Sequence, residues 1–272
     1  MFKKVIVLVG SGAIGMAIAR RVAIGKELVL ADLRLETAQR EADALSLVGY
    51  STHAVACDVS DPQSVQSLVE FASDLGEVVG LINTAGMSAS QASVEQIFKV
   101  DLYGNALLFE VFAPIMAEGG SVIVIGSQSS HRLEDLGNEL IRSLATLPSD
   151  QLLNLPIIQE TSDGLRAYQI AKRGNALRCA ADSAKWADKH LRFNCISAGI
   201  VYTPLANDEL NGIHKDFYRK MLADSPAGRG GTPDDIANLA EFLMSDKASY
   251  VAGADFLIDG GATANYFWGS QK

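Results

Sequence analysis

The stretch from Val5 to Arg21, VIVLVGSGAIGMAIARR, decides the fold. Its first five residues are apolar and mostly β-branched, the composition of a strand covered on both faces. Gly10-Ser11-Gly12-Ala13-Ile14-Gly15 follows, and MAIARRVA continues with helical character. In a strand–turn–helix unit Gly10 permits the sharp turn, Gly12 lets the backbone approach a pyrophosphate, and Gly15 lets helix and strand pack closely. The phosphates would sit at the helix N-terminus, where free N–H groups and the helix dipole favour anions. The next apolar run, ELVLAD, ends in Asp32, about twenty residues beyond the first glycine, where a carboxylate binds the adenosine ribose hydroxyls. That carboxylate would repel a 2′-phosphate, so the expected cofactor is NAD rather than NADP; Arg34 weakens this preference without reversing it.

The same opening, two lysines and an apolar run ending in small residues, also has the outline of a secretory leader. Its removal would leave ELVLAD without a partner strand and discard the glycine turn. Local consistency favours the cradle.

Outward from this unit the pattern repeats. THAVAC, VVGLIN, SVIVIG, LRFNCIS and DFLIDGG are short strand-like runs, separated by amphipathic segments of helical length. Alternation of this kind predicts a doubly wound parallel α/β sheet of about seven strands with helices on both faces. No proline- or serine-rich linker divides the 272 residues, which read as one domain. Two segments break the rhythm. Residues 131–163 lie between a strand and its helix, and residues 204–226 follow a later strand; both are candidate substrate elements, because ligands bind at the carboxyl ends of such strands.

Bulk properties narrow the partners. The net charge of −9, from 23 basic and 32 acidic residues, disfavours nucleic acid or an anionic membrane surface. No later apolar stretch reaches the roughly eighteen residues of a membrane span. Cys57, Cys179 and Cys195 are odd in number and widely spaced, which predicts neither disulfides nor zinc and fits a reducing, cytoplasmic setting. His53, His131, His190 and His214 show no metal-ligand spacing, so no metal is expected.

The chemistry is carried by AYQIAKR, which sets Tyr168 and Lys172 four apart on one helix face. A tyrosine is a poor base because its pKa is near 10. A neighbouring ammonium stabilises the phenolate, so the hydroxyl can give a proton to a carbonyl oxygen and take it back in reverse. Ser127, at the carboxyl end of SVIVIG, could hold the substrate oxygen beside it. INTAG, Ile82 to Gly86, offers a small-residue turn for the cofactor's floor.

With these stretches together the chain resembles a short-chain dehydrogenase/reductase over nearly its whole length. The resemblance rests on the glycine turn, CDV at 57–59, NTAG, the serine of IGSQSS, YQIAK, SAGIVYTP and GADFLIDGG. It implies Ser127, Tyr168 and Lys172 as the catalytic set and Asp58 beside the adenine, with Val59 adjoining. It places Asn83, Ala85 and Gly86 along the cofactor, and Ile200 and Thr203 at the nicotinamide carboxamide. Within the family the chain is similar to bacterial carbonyl reductases of the 3α-hydroxysteroid dehydrogenase type, which share a long serine-to-tyrosine stretch. The implied reaction is hydride transfer between NAD(H) and a secondary alcohol or ketone, the implied substrate hydrophobic, and the implied assembly a homodimer or homotetramer. An NAD-dependent dehydratase or epimerase, and a dinucleotide sensor without catalysis, are the alternatives; a sensor would be expected to lack the serine, tyrosine or lysine.

Four features depart from the family pattern. The turn is G-x-G-x-x-G rather than G-x-x-x-G-x-G. Asp101 replaces an asparagine that helps hold a proton-relay water. Ala198 in SAG replaces a proline, which predicts a looser turn. Forty residues separate Ser127 from Tyr168, where about a dozen are usual. Leu133, Leu136, Leu140, Ile141, Leu144 and Leu147 recur at helical spacing there, and SDQLLNLPII follows with a serine placed to cap a helix. This insertion reads either as helices packed on the body or as an apolar wall over the substrate. It would also lie where helices of the family pair between subunits.

Overall fold

In β1 (Lys4–Val9) the side chains alternate between two interiors: Val5, Val7 and Val9 enter one buried cluster, Ile6 and Leu8 the other. A strand with no polar face has to lie at the middle of a covered sheet. The computed structural model, which describes residues 3–90, 92–212 and 215–269, builds that sheet from β1, β2 (Glu27–Asp32), β3 (Ser51–Ala56), β4 (Glu77–Asn83), β5 (Met116–Ser127), β6 (Arg192–Ala198) and β7 (Asp255–Ile258). All pairings are parallel, in the order β3-β2-β1-β4-β5-β6-β7. His214 falls outside the described residues.

Helices α1 (Ala13–Val22), α2 (Leu35–Ser46) and α12 (Pro233–Leu243) cover one face of the sheet. The other carries α3 (Pro62–Leu75), α5 (Asn105–Phe112) and α9 (Gly164–Lys185). The remaining helices are α4 (Val94–Ile97), α6 (Asn138–Thr146), α7 (Ser149–Leu152), α8 (Pro156–Glu160), α10 (Pro204–Asn211), α11 (Lys215–Asp224) and α13 (Ala262–Trp268). Between α4 and α5 the helix widens into a π-helical segment, Phe98–Gly104, with Asp101 at its centre.

The insertion is a third buried cluster. Leu144, Leu152 and Ile158 bury against Ile97, Phe98 and Leu102 on one side and Ile170 and Ala171 of α9 on the other. Helix α6 begins only at Asn138, so Leu133 and Leu136 precede it, though both pack against this cluster. Ser149 caps nothing: α7 has no side-chain cap, and Ser149 instead gives its N–H and hydroxyl to Glu110 at 2.8 and 2.6 Å. Arg178 of α9 completes the clasp, 3.2 Å from Glu110 and 2.8 Å from the Leu147 carbonyl. Ala198 does not form a loose turn, because it is the last residue of β6, paired with Ser127 and Ile258.

All three cysteines are buried and free. Burial pushes the Cys57 thiol up to about 11. Among the described residues no cluster could hold a metal, and no helix is long and apolar enough to cross a membrane.

Candidate active site

The loops at the carboxyl ends of the strands converge where the sheet order reverses, between β1 and β4, the usual ligand crevice of such sheets. Gly10 has φ +92°, which side-chain-bearing residues rarely adopt, and a Cβ there would meet the Ala85 nitrogen at 2.6 Å. A Cβ on Gly15 would meet the Thr84 hydroxyl at 2.8 Å and also strike the Gly10 carbonyl. At Gly12, by contrast, a Cβ would have nothing within 4 Å. That open backbone is the N-cap of α1, which has neither a side-chain cap nor an acidic residue in its first turn, as an anion site requires. Asp32 closes the cradle, accepting from the Ser11 N–H at 3.0 Å and the Arg34 N–H at 3.2 Å. Asp58 follows β3 on the same rim; the Cys57 N–H before it reaches the Asp32 carbonyl at 2.8 Å, and Val59 is buried against Gly104. This cradle fits a dinucleotide.

A cavity of about 510 Å³ opens beside it. Ser127, Tyr168, Lys172, Gly86, Ile200 and Thr203 all line it, as does Ile14 of the glycine turn. Asn83 and Ala85 do not: the Asn83 amide donates to Asn105 at 3.0 Å and accepts from the Ala85 N–H, so its side chain shapes the turn, while Thr84 and Gly86 face the cavity. Ser127, at the end of β5, is held near Ser129, its oxygen accepting the Ser129 N–H at 3.3 Å.

Lys172 lies 5.5 Å from the centre of the Tyr168 ring. Its ammonium is almost wholly buried, donates to the Ile125 carbonyl at 3.3 Å, and stands 3.9 Å from Asp101 Oδ2. Burial lowers the pKa of this lysine, but Asp101 opposes it, and the balance leaves the Lys172 pKa raised. Burial likewise raises the Asp101 pKa, against the pull of Lys172 and of a 2.8 Å bond from the Met87 N–H. Gly86 permits this closeness, since a Cβ there would fall 3.0 Å from both Asp101 Oδ1 and the ammonium.

Several cavity residues were not singled out individually by the sequence, although Arg132, Phe217 and Met221 fall within its two candidate substrate segments. Gln128, Arg132 and Gln169 bring polar groups, and Phe217 and Met221 of α11 and Tyr266 of α13 bring apolar or aromatic ones. Of residues 204–226, Ala206, Phe217, Tyr218 and Met221 line the cavity. From residues 131–163 only Arg132 lines this cavity, while the leucines of the insertion pack in the third buried cluster.

Residues 3–136 match the family model described as short chain dehydrogenase, and residues 151–263 the model described as enoyl-(acyl carrier protein) reductase. The chain is 33% identical over 267 residues to the short-chain dehydrogenase/reductase bsc3 of Alternaria brassicicola, covering 97% of each. It is 30% identical over 272 residues to the D-threitol dehydrogenase of Mycolicibacterium smegmatis, covering 96% of this chain and 93% of that one. Among solved structures, a short-chain dehydrogenase/reductase of Serratia marcescens superposes with a TM-score of 0.76 at 22% identity, over 96% of this chain and 98% of that one. The chain belongs to the short-chain dehydrogenase/reductase family, oxidoreductases that interconvert alcohols and carbonyl compounds with NAD(H) or NADP(H).

Proposed function

We propose that this protein is a single-domain NAD-dependent dehydrogenase that transfers a hydride between NAD(H) and a secondary alcohol or its ketone. What supports the reading above all is that Ser127, Tyr168 and Lys172 share one cavity with the glycine cradle's Ile14. Bound in the cradle, the nicotinamide dinucleotide supplies or accepts the hydride. Tyr168 gives its hydroxyl proton to the carbonyl oxygen in reduction and withdraws it from the alcohol in oxidation. The Lys172 ammonium favours the phenolate form of Tyr168 and holds the nicotinamide ribose. Ser127 orients the substrate oxygen. Gly10, Ser11, Gly12, Ile14 and Gly15 receive the pyrophosphate side, Asp58 and Val59 the adenine, and Gly86, Ile200 and Thr203 the nicotinamide half, with Asn83 and Ala85 shaping the turn that presents Gly86. Asp32 selects NAD by binding ribose hydroxyls and repelling a 2′-phosphate.

The substrate body is apolar on this reading, since Met87, Leu165, Phe217 and Met221 line the cavity. The protein works as a cytoplasmic homo-oligomer whose contact avoids the face covered by α6 and α7. The test is NADH and NADPH oxidation against a panel of ketones that includes bulky cyclic ones, with Tyr168→Phe in parallel. Turnover with NADH that falls at least about 100-fold in Tyr168→Phe is the expected result. Cofactor binding without turnover of any ketone would favour the sensor reading instead.

A further inference from the structure

The charged residues lining the cavity are Lys172 and Arg132, with no carboxylate among its described lining residues. Lys172 is answered by Asp101 and the Ile125 carbonyl. Arg132 feels the Asp259 carboxylate only through space, because the Asp259 oxygens accept instead from the Gly261 and Thr263 N–H groups. It closes the short 3₁₀ turn Gln128–Arg132 that leaves Ser127, and its guanidinium lies 4.8 Å over the Tyr266 ring. Its Nη groups reach the Met221 sulfur at 3.8 and 3.7 Å, and Nη2 reaches the Gln128 side-chain oxygen at 3.4 Å. Its buried Nε has no partner among the described residues. None of the ion pairs among the described residues includes it.

A thioether is a weak acceptor, and a hydrogen bond of 3.4 Å is long. A half-buried guanidinium with five donors therefore makes no strong hydrogen bond, and Asp259 answers its charge only at a distance. Cations are kept in such places at a desolvation cost that a matching anion offsets. The planar fork suits a carboxylate, which accepts two parallel N–H bonds. With no acidic residue on the described wall, an anion entering that end of the cavity meets the guanidinium's unused donors without facing a carboxylate that lines the same space.

We propose, building on the dehydrogenase reading, that Arg132 anchors an anionic group of the substrate. The substrate is then a hydroxy acid or oxo acid with an apolar chain between its two ends. Its reacting oxygen lies at Ser127 and Tyr168, and its carboxylate on Arg132.

The test uses the full chain with NADH. Levulinate and its longer straight-chain homologues are compared with their methyl esters, in wild type, Arg132→Met and Arg132→Lys. The expected result is that kcat/KM for the best acid exceeds that of its ester on the order of 100-fold, as for hydrogen bonds to charged groups. In Arg132→Met the ratio collapses toward one through KM rather than kcat, and Arg132→Lys recovers part of it. Equal use of acid and ester by wild type, or a preference that survives Arg132→Met, overturns the proposal. If no homologue is turned over, calorimetry of the same acids with the NADH complex decides: absent binding, or binding indifferent to Arg132→Met, also overturns it. Should Arg132→Met fail to bind NADH, the acid-to-ester ratio of Arg132→Lys and Arg132→Gln is read instead. Failure of wild type to bind NADH or reduce any ketone counts against the dehydrogenase reading itself, a separate outcome.

Discussion

Glu27 opens β2, the strand that delivers Asp32, and its carboxylate is only 8% exposed. It meets the Lys3 ammonium at 2.7 Å, the Ser51 hydroxyl at 2.6 Å and the His53 ring at 2.7 Å, tying the lower ends of β1, β2 and β3 together. These partners, Lys3 first, lower its pKa from 4.5 to about 2. Each pH unit of that difference is 1.36 kcal/mol, so the ceiling on its contribution is about 3 kcal/mol. Lys3 is exposed, and solvent screening reduces the expected figure to about 1–2 kcal/mol. Because the folded-state pKa is depressed, the contribution is complete above the unfolded pKa and is lost as the pH falls through the folded one. About three quarters remains at pH 4 and about two fifths at pH 3. Glu27→Gln keeps the shape and a bond to Ser51 while removing the charge. Urea unfolding of both proteins at pH 7, 4 and 3 is expected to show a gap of about 1–2 kcal/mol that narrows in those proportions. A gap as wide at pH 3 as at pH 7, or none at pH 7, would refute the electrostatic reasoning and leave Glu27 a packing residue.

Other perturbations follow from the same geometry. Gly15→Ala forces a methyl group against the Gly10 carbonyl and the Thr84 hydroxyl and is expected to cost about 1–3 kcal/mol in urea unfolding; unchanged stability would show that the turn adapts. Gly12→Ala meets no neighbour, so it should leave the melting temperature alone while weakening NADH binding at least about tenfold in a fluorescence titration. Asp101→Asn preserves an acceptor for the Met87 N–H but removes the charge that keeps Lys172 protonated. The lysine then loses its proton at lower pH, and the alkaline limb of kcat/KM for ketone reduction should move down by at least about one pH unit. Arg178→Met unclasps the insertion from Glu110 and Leu147, and faster limited proteolysis within residues 138–160 is the expected sign.

The sheet was readable because its strands are short apolar runs bounded by turns, and a strand such as β1 that feeds two interiors leaves no doubt about layering. The cradle was readable because its demands are backbone demands: only glycine tolerates φ +92° at position 10 or a missing Cβ at position 15. Tyr168 and Lys172 sit one helical turn apart, so their pairing is visible in four letters. Arg132, Phe217 and Tyr266 are brought to one cavity from three distant segments, and nothing local marks them as companions. Ser149 had the look of a cap because local rules ignore Glu110, thirty-nine residues away in sequence and 2.6 Å away in space. The π-helical segment at Asp101 was hidden for a related reason, since periodicity over FKVDLYG describes an ordinary helix equally well.

That segment has a geometric consequence. A wide turn carries an additional residue, which advances the angular phase of everything after it by about 100° relative to a regular helix. Ile97, Phe98 and Leu102 accordingly look toward the insertion, whereas Leu107, Phe109 and Phe112 look toward the sheet. One helical run thereby serves two interiors, and the carboxylate of Asp101 is aimed at Lys172 from the place where the phase changes. Deleting a single residue between Phe98 and Gly104 would restore a regular helix, and in doing so turn Asp101 away from the lysine without altering any residue that lines the cavity.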